Sequence, residues 1–198
     1  MKKVFLTIAL SILVLITFSQ NKPATISPTD TLPYTYLGFG TGINNYVGIL
    51  GVGADIRVHD KIFIRLGAGL GSWGYKYTAG IRLEHTYAKG WGFGASISFC
   101  TGLKNFKTDL ETVSGNIVST KSVTLDLLQA RTFNLTASHN WIIGKHNRFF
   151  LEFGYAILLD TNPYNVIDGS KLTDNAKTVL KMVQPGGIII DIGFMFGL

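Results

Sequence analysis

Residues 73–87, WGYKYTAGIRLEHTY, sort their side chains onto two faces with a period of two. The odd-numbered positions from Trp73 to Tyr87 are mainly aromatic or aliphatic, whereas the even-numbered positions from Gly74 to Thr86 are glycine, charged or hydroxyl residues. Successive side chains of a β-strand point to opposite sides, so this alternation predicts a strand with one apolar and one polar face.

The same alternation recurs along most of the chain and predicts eight strands in total. The other seven segments are 34–41, 46–58, 62–70, 91–100, 123–141, 148–159 and 188–198. All five prolines lie outside these segments or at their margins, as the hydrogen bonding of a sheet requires. The predicted fold class is all-β, an eight-stranded antiparallel up-and-down β-barrel.

Two kinds of barrel use two-faced strands: a soluble lipocalin-like carrier with its apolar face inward, and a transmembrane barrel with that face toward lipid. The glycines favour the second, because nearly every strand glycine from Gly51 to Gly102 lies on the polar face. Inside a narrow barrel, glycine leaves room for long charged side chains. We therefore expect the apolar face to meet lipid and the lumen to be glycine-rich and charged.

Aromatic residues at both ends of the apolar face are expected to form the two interfacial girdles of a membrane barrel. The girdle residues are Tyr46, Trp73 and Tyr75 at one end, and Tyr87, Trp91 and Trp141 at the other. On a tilted strand, Arg131 comes out at the level of the outer headgroups, where we expect it to contact lipid phosphate.

Composition narrows the function classes. The chain has 198 residues, of which 46% are hydrophobic and 15% charged, and it has a single cysteine, Cys100. One thiol allows neither an internal disulfide nor a cysteine-rich zinc site, and no paired histidine ligands occur. Gly69, Gly71 and Gly74 have the spacing GxGxxG, but a strand follows them instead of a helix, so no nucleotide cofactor is expected.

The N-terminus resembles a secretory signal. Lys2 and Lys3 precede an apolar stretch at 4–18, and the small residues Thr17 and Ser19 suit a cleavage site near residue 20. We expect residues 1–20 to be a signal peptide, 21–33 a periplasmic leader and 34–198 the barrel domain, with an uncleaved anchor as the alternative. Cleavage would remove the two lysines and lower the formal charge from +6 to +4. A positive charge this small gives no reason to expect nucleic acid as a partner.

Loop lengths predict an orientation. Short connections near residues 60, 89 and 145 are expected to be periplasmic turns, and long ones at about 104–122 and 160–186 to be the extracellular interaction surface. In the second long loop the spacing of apolar residues changes from every second position to that of a helix, from Leu172 to Val183. We expect a helix with Ser170 as N-cap, packed on Leu125 and Leu127 as a lid, or else a disordered loop that orders on binding.

The lower lumen is predicted to hold a closed charge network. Heights counted along the strands bring together Asp55, Arg57, Arg65, Arg82, Glu84 and Glu152. Glu152 would reach Arg65 across the lumen and brace the walls, whereas independent, solvated side chains are the alternative.

With its two-faced strands and its charged, glycine-rich polar face, the segment 34–198 resembles the small eight-stranded outer-membrane barrels of Gram-negative bacteria. These are the outer-membrane-protein-X-like and related porin-superfamily barrels. Its end, FMFGL at 194–198, is similar to the C-terminal strand recognised by the barrel-assembly machinery, although Leu198 stands where an aromatic residue is usual. The resemblance implies an outer-membrane location with lipid as partner, but it transfers no activity.

Three other functions remain as alternatives to a non-enzymatic barrel. A lipid-modifying outer-membrane enzyme needs a His–Ser–acid group facing lipid near the outer side, whereas His85 and His139 are predicted near the inner leaflet. A small-solute porin needs an open lumen, but eight strands enclose only enough space for side chains. A soluble lipocalin-like carrier needs the opposite orientation of the two faces. We therefore expect no catalytic residues, no cofactor and no metal.

Overall fold

The computed structural model describes residues 33–86, 89–115, 117–161 and 163–198. The predicted signal peptide, residues 21–32 of the predicted leader and the girdle residue Tyr87 lie outside the described residues.

The described residues form eleven strands and one helix. In chain order they are β1 (Thr35–Ile43), β2 (Leu50–His59), β3 (Ile62–Gly71), β4 (Gly74–Thr86), β5 (Lys89–Cys100), β6 (Leu103–Ser114), β7 (Ile117–Leu127), β8 (Ala130–Ile143), β9 (Asn147–Leu158), β10 (Tyr164–Val166), α1 (Asp174–Val183) and β11 (Gly187–Gly197).

Eight of these strands close into a barrel in the order β1-β2-β3-β4-β5-β8-β9-β11, and β11 pairs back onto β1. Every pairing in the barrel is antiparallel. The predicted eight-stranded antiparallel barrel is confirmed. The connections at 60–61 and 144–146 lie at one end with both ends of the described chain, and we call this the turn end. The opposite end is the loop end.

The two faces of the strands meet different surroundings. Along β4, Ile81 is 54% exposed on the outside while its neighbour Arg82 is fully buried inside. The same split holds around the barrel, so the polar face of each strand lines the lumen and the apolar face forms the outer surface. Tyr75, Trp91 and Trp141 lie on that outer surface and are exposed.

The sixth predicted strand, 123–141, is wrong: the structure has two strands there, β7 and β8, with a break at 128–129. The predicted long loop at 104–122 is mostly a hairpin, because β6 pairs with β7 over most of its length. β10 adds to the other edge of β7 and completes a three-stranded sheet, β10-β7-β6. Because β10 lies so far from β7 in the sequence, no local pattern predicts that these two strands pair.

Helix α1 packs on this sheet. Together, β6, β7, β10 and α1 form what we call the loop-end subdomain. Leu172, Ala176 and Leu180 belong to the same buried cluster as Leu125 and Leu127, as expected. The expected N-cap Ser170 is wrong, since the hydroxyl of Thr173 accepts the hydrogen bond from the Ala176 amide at 3.2 Å.

Trp73 is also placed differently from the prediction. It is 1% exposed and lies in the buried cluster of the subdomain, not in an outer girdle. The reason is its position in the β3–β4 turn, outside either strand, where the side chain is free to fold beneath the subdomain beside Cys100.

No helix in the described part of the chain is long and apolar enough to cross a membrane.

Candidate functional site

The most highly charged part of the described structure is the interior of the barrel toward the turn end. Three acids and three arginines meet there, and all six are buried. Asp55 lies at the centre: its carboxylate accepts from Arg65 Nε at 3.1 Å, from Arg82 at 2.9 Å, and from Arg148. One carboxylate thus holds three guanidinium groups in one place.

Glu84 closes the group into a ring. Its Oε1 accepts from Arg82 at 2.6 Å and from Arg148 at 2.9 Å, so each of these arginines bridges Glu84 and Asp55. Arg65 extends the network across the lumen, because it also contacts Glu152 on β9. In the closed strand order β9 stands opposite β3, which carries Arg65. The structure therefore brings together five of the six expected residues and joins opposite walls.

Arg57 is the expected residue that lies elsewhere. Its guanidinium carbon lies 4.3 Å from the centre of the ring of Tyr34, the residue just before the start of β1. Arg148 takes the third arginine position. Arg148 lies on the polar face of its predicted strand, but the stagger between barrel strands decides which residues share a height, and one sequence does not reveal that stagger.

Tyrosine rings cover two of the arginines. Arg65 lies 4.3 Å from the centre of the Tyr46 ring, and Arg148 lies 4.1 Å from that of Tyr36. Such contacts strengthen in a desolvated interior, so the rings add to the carboxylates in offsetting the burial of the charges.

The connection between β1 and β2 folds into the lumen from the loop end. Asn45, Tyr46 and Val47 are buried, and the expectation that Tyr46 belongs to an outer girdle is wrong. A Cβ atom on Gly53 or Gly67 would lie 2.4 Å or 2.7 Å from ring atoms of Tyr46. These glycines therefore make room for an inserted loop and not only for charged side chains.

The inserted loop also has a polar anchor. Asn45 Nδ2 donates to Asp191 Oδ1 at 2.8 Å, and both residues are fully buried. On the other side of the lumen, hydroxyl and amide groups bond to each other: Asn134 donates to Ser98 Oγ at 2.7 Å, and Ser98 and Thr78 share a hydrogen bond of 2.7 Å. Ion pairs, the inserted loop and this polar cluster therefore all occupy the interior of the barrel.

Arg131 lies near the loop end and is exposed. Its guanidinium bonds to Asp160 at 2.8 Å, and its amide donates to the same carboxylate at 2.6 Å. These hydrogen bonds, chiefly that of the side chain, hold the pKa of Asp160 below its usual value. The expected contact between Arg131 and lipid phosphate stays a prediction, and the structure shows that Asp160 already partners this charge.

The described residues contain no group of three histidine, cysteine or acidic residues that could hold a metal ion. Comparison of the sequence with family models and with curated proteins finds no match, and comparison of the fold with solved structures finds none either.

Proposed function

We propose that this chain is a non-enzymatic integral barrel of a bacterial outer membrane, with a closed lumen and a loop-end subdomain that faces the outside. The observation that carries the proposal is the outer surface of the barrel. Each barrel strand presents at least one large exposed apolar side chain there. Examples in barrel order are Phe39, Val52, Leu70, Ile81, Ile97, Leu135, Phe153 and Ile190.

A belt of this kind is costly in water. Each Å² of apolar surface left in water costs about 25 cal/mol, and soluble monomers rarely expose apolar patches above a few hundred Å². Hydrocarbon would remove that cost, and a closed barrel leaves no unpaired strand edge in lipid. The exposed positions of Tyr75, Trp91 and Trp141 fit the same environment.

The contents of the barrel lumen favour a structural role for the barrel over the passage of ions or solutes. A pore needs a continuous aqueous path, whereas here the Asp55 network and the inserted Tyr46 both occupy the lumen. We infer that the barrel serves to hold the subdomain at the surface. Its partners on this proposal are outer-membrane lipid, the assembly machinery acting on β11, and a ligand of the subdomain whose identity is open.

Fractionation of cells expressing the full chain tests the proposal. We expect the protein in outer membranes after a carbonate wash, with a faster gel mobility before boiling than after. Purified protein in planar bilayers should give no stepwise conductance. A water-soluble protein that needs no detergent would overturn the membrane assignment in favour of a soluble carrier, and steady unitary currents would overturn the closed lumen in favour of a porin.

A further inference from the structure

A pocket of about 220 Å³ opens at the loop end, between the rim of the barrel and the C-terminal end of α1. It combines one buried cation with an apolar mouth. The residues that matter here are Ile43, Ile49, Lys76, Met182, Val183 and Pro185.

Lys76 is the cation, and it is only 4% exposed. Its Nζ donates to the carbonyl of Asn44 at 2.8 Å, and no ion pair between described residues includes it. An ammonium group has three donors, and its burial is costly unless a charge of opposite sign contacts it. Asp191 is the carboxylate whose charge acts on Lys76, but it lies beyond ion-pair distance and accepts a hydrogen bond from Asn45. The pocket is therefore matched to an anionic group.

The mouth of the pocket is apolar and open. Ile43, Ile49 and Val183 are each at least half exposed, and Met182 is 77% exposed. Ile43 and Ile49 flank the outer apolar surface of β1 and β2, so the mouth is continuous with that surface.

The frame of the pocket is held by specific hydrogen bonds. Asn44 Nδ2 donates to the carbonyl of Gly186 at 2.5 Å, and Thr41 Oγ1 donates to the carbonyl of Ile49 at 2.6 Å. The first bond ties the β1–β2 connection to the segment after α1, and the second joins the two ends of that connection, so hydrogen bonds link the walls of the pocket.

We propose that this pocket binds a single-chain anionic amphiphile, with its carboxylate or phosphate head on Lys76 and its acyl chain over Ile43, Ile49 and Met182. Sites that enclose a whole ligand usually measure about 300–1,000 Å³. At 220 Å³ this one holds the head group and the first carbons, and the rest of the chain lies along the apolar mouth. The proposal does not depend on the membrane assignment.

An NMR titration of the purified full chain in nanodiscs of zwitterionic lipid tests this with four probes: decanoate, decyl phosphate, decanol and inorganic phosphate. We expect both anionic amphiphiles to bind at least about tenfold more tightly than decanol, because a charge-assisted hydrogen bond is lost in the alcohol. Whichever of decanoate and decyl phosphate binds more tightly identifies the head group. Inorganic phosphate should bind far more weakly than decyl phosphate.

Variants separate recognition from a purely structural role of Lys76. Lys76→Met should weaken decanoate binding about tenfold or more, whereas Lys76→Arg should retain most of it. Met182→Ser should weaken both amphiphiles a few-fold and leave the preference for an anionic head unchanged. Lys177→Met is the matched control, because Lys177 is an exposed lysine on α1, the helix that carries Met182. This variant should bind decanoate as the wild type does.

Three results would overturn the proposal: decanol binding as tightly as decanoate, undiminished decanoate binding by folded Lys76→Met, or inorganic phosphate matching decyl phosphate. If Lys76→Met fails to fold, the comparison of acid with alcohol on the wild type and the effect of Met182→Ser decide the matter.

Discussion

The strands β7 and β8 are separated by two residues, yet their apolar faces meet opposite surroundings. The odd-numbered positions from Val123 to Leu127 in β7 are apolar, and most of those from Phe133 to Ile143 in β8 are apolar too. In β7, Leu125 and Leu127 are buried, because they lie in the cluster that also contains Trp73 and residues of α1. In β8, Leu135 and Trp141 are exposed, because no element of the described chain covers them, while Asn134 faces the lumen and is buried.

The loop-end subdomain and the barrel therefore have opposite kinds of interior. The subdomain encloses an apolar cluster, as water-soluble domains do, and its outer surface carries both charged and apolar residues, such as Lys177 and Met182. The barrel encloses the Asp55 network and turns apolar residues outward. The comparison shows that alternation determines which residues share a face of a strand. Whether that face is buried or exposed depends on which other elements pack against it.

The largest effect should come from removing the centre of the charged interior. Asp55→Ala leaves three buried arginines without their shared carboxylate, and loss of one partner from a buried ion pair costs about 3–5 kcal/mol. Urea unfolding of the protein refolded into vesicles measures this. Asp60→Ala, in the exposed turn after β2, should change stability by less than about 0.5 kcal/mol. Equal unfolding midpoints for the two variants would contradict the network.

A smaller and local effect is expected from the apolar interior. Leu125→Ala should cost about 2–4 kcal/mol within the subdomain, because a buried leucine leaves a cavity. We expect trypsin to cleave after Lys177 or Lys181 at least about tenfold faster than in the wild type, with the barrel intact. Leu135→Ala makes the same change on the exposed outer face of β8 and should leave the rate of cleavage unchanged. Rapid cleavage of the wild type would contradict a packed helix.

The cap of α1 should contribute less. Thr173→Ala removes the hydroxyl that accepts from the Ala176 amide and donates to Glu111 at 3.2 Å. Loss of an N-cap costs about 1 kcal/mol. Hydrogen exchange of the amides in the first turn of α1 should quicken about fivefold. Ser170→Ala is the control, since Ser170 is not the cap, and it should leave these amides unaffected.

The smallest effect concerns the exposed pair at the loop end. The pKa of Asp160 is lowered by Arg131, so its contribution to stability is present above pH about 4 and is lost as pH falls through the lowered pKa. The Arg131 amide, which donates to Asp160, should report this as an NMR titration with a midpoint below that of an unpaired aspartate. Asp160→Asn should abolish the titration, and a midpoint at or above that of an unpaired aspartate would contradict the pairing.

Much of the barrel follows from the sequence because alternation and glycine placement are local signals. The position of Arg82 between two outward apolar residues already assigns it to the polar face, and the same holds for Asp55 and Glu152. The facing pair Arg65 and Glu152 follows from counting strands around a closed barrel of eight.

The remaining features depend on geometry that is not local. Tyr46 and Trp73 continue the alternation of their strands but lie in connections, where the chain turns and the side chain leaves the face it would have in a strand. Arg148 takes the place in the network that was predicted for Arg57, because strand stagger decides which residues share a height. The β6–β7 hairpin lacks a clear alternation toward its tip, and its partners β10 and α1 come about 40 residues or more later in the chain.

The most direct test of the account compares Ile97→Arg with Ile117→Arg by the yield of folding into preformed lipid vesicles. Both isoleucines are exposed in the structure, at 58% and 71%, but Ile97 lies in the outer belt of the barrel and Ile117 at the tip of the subdomain hairpin. An arginine facing mid-bilayer lipid costs about 2–4 kcal/mol, so Ile97→Arg should lower the folded yield sharply while Ile117→Arg matches the wild type. Equal yields for the two variants would contradict the claim that the apolar outer face of this barrel meets lipid.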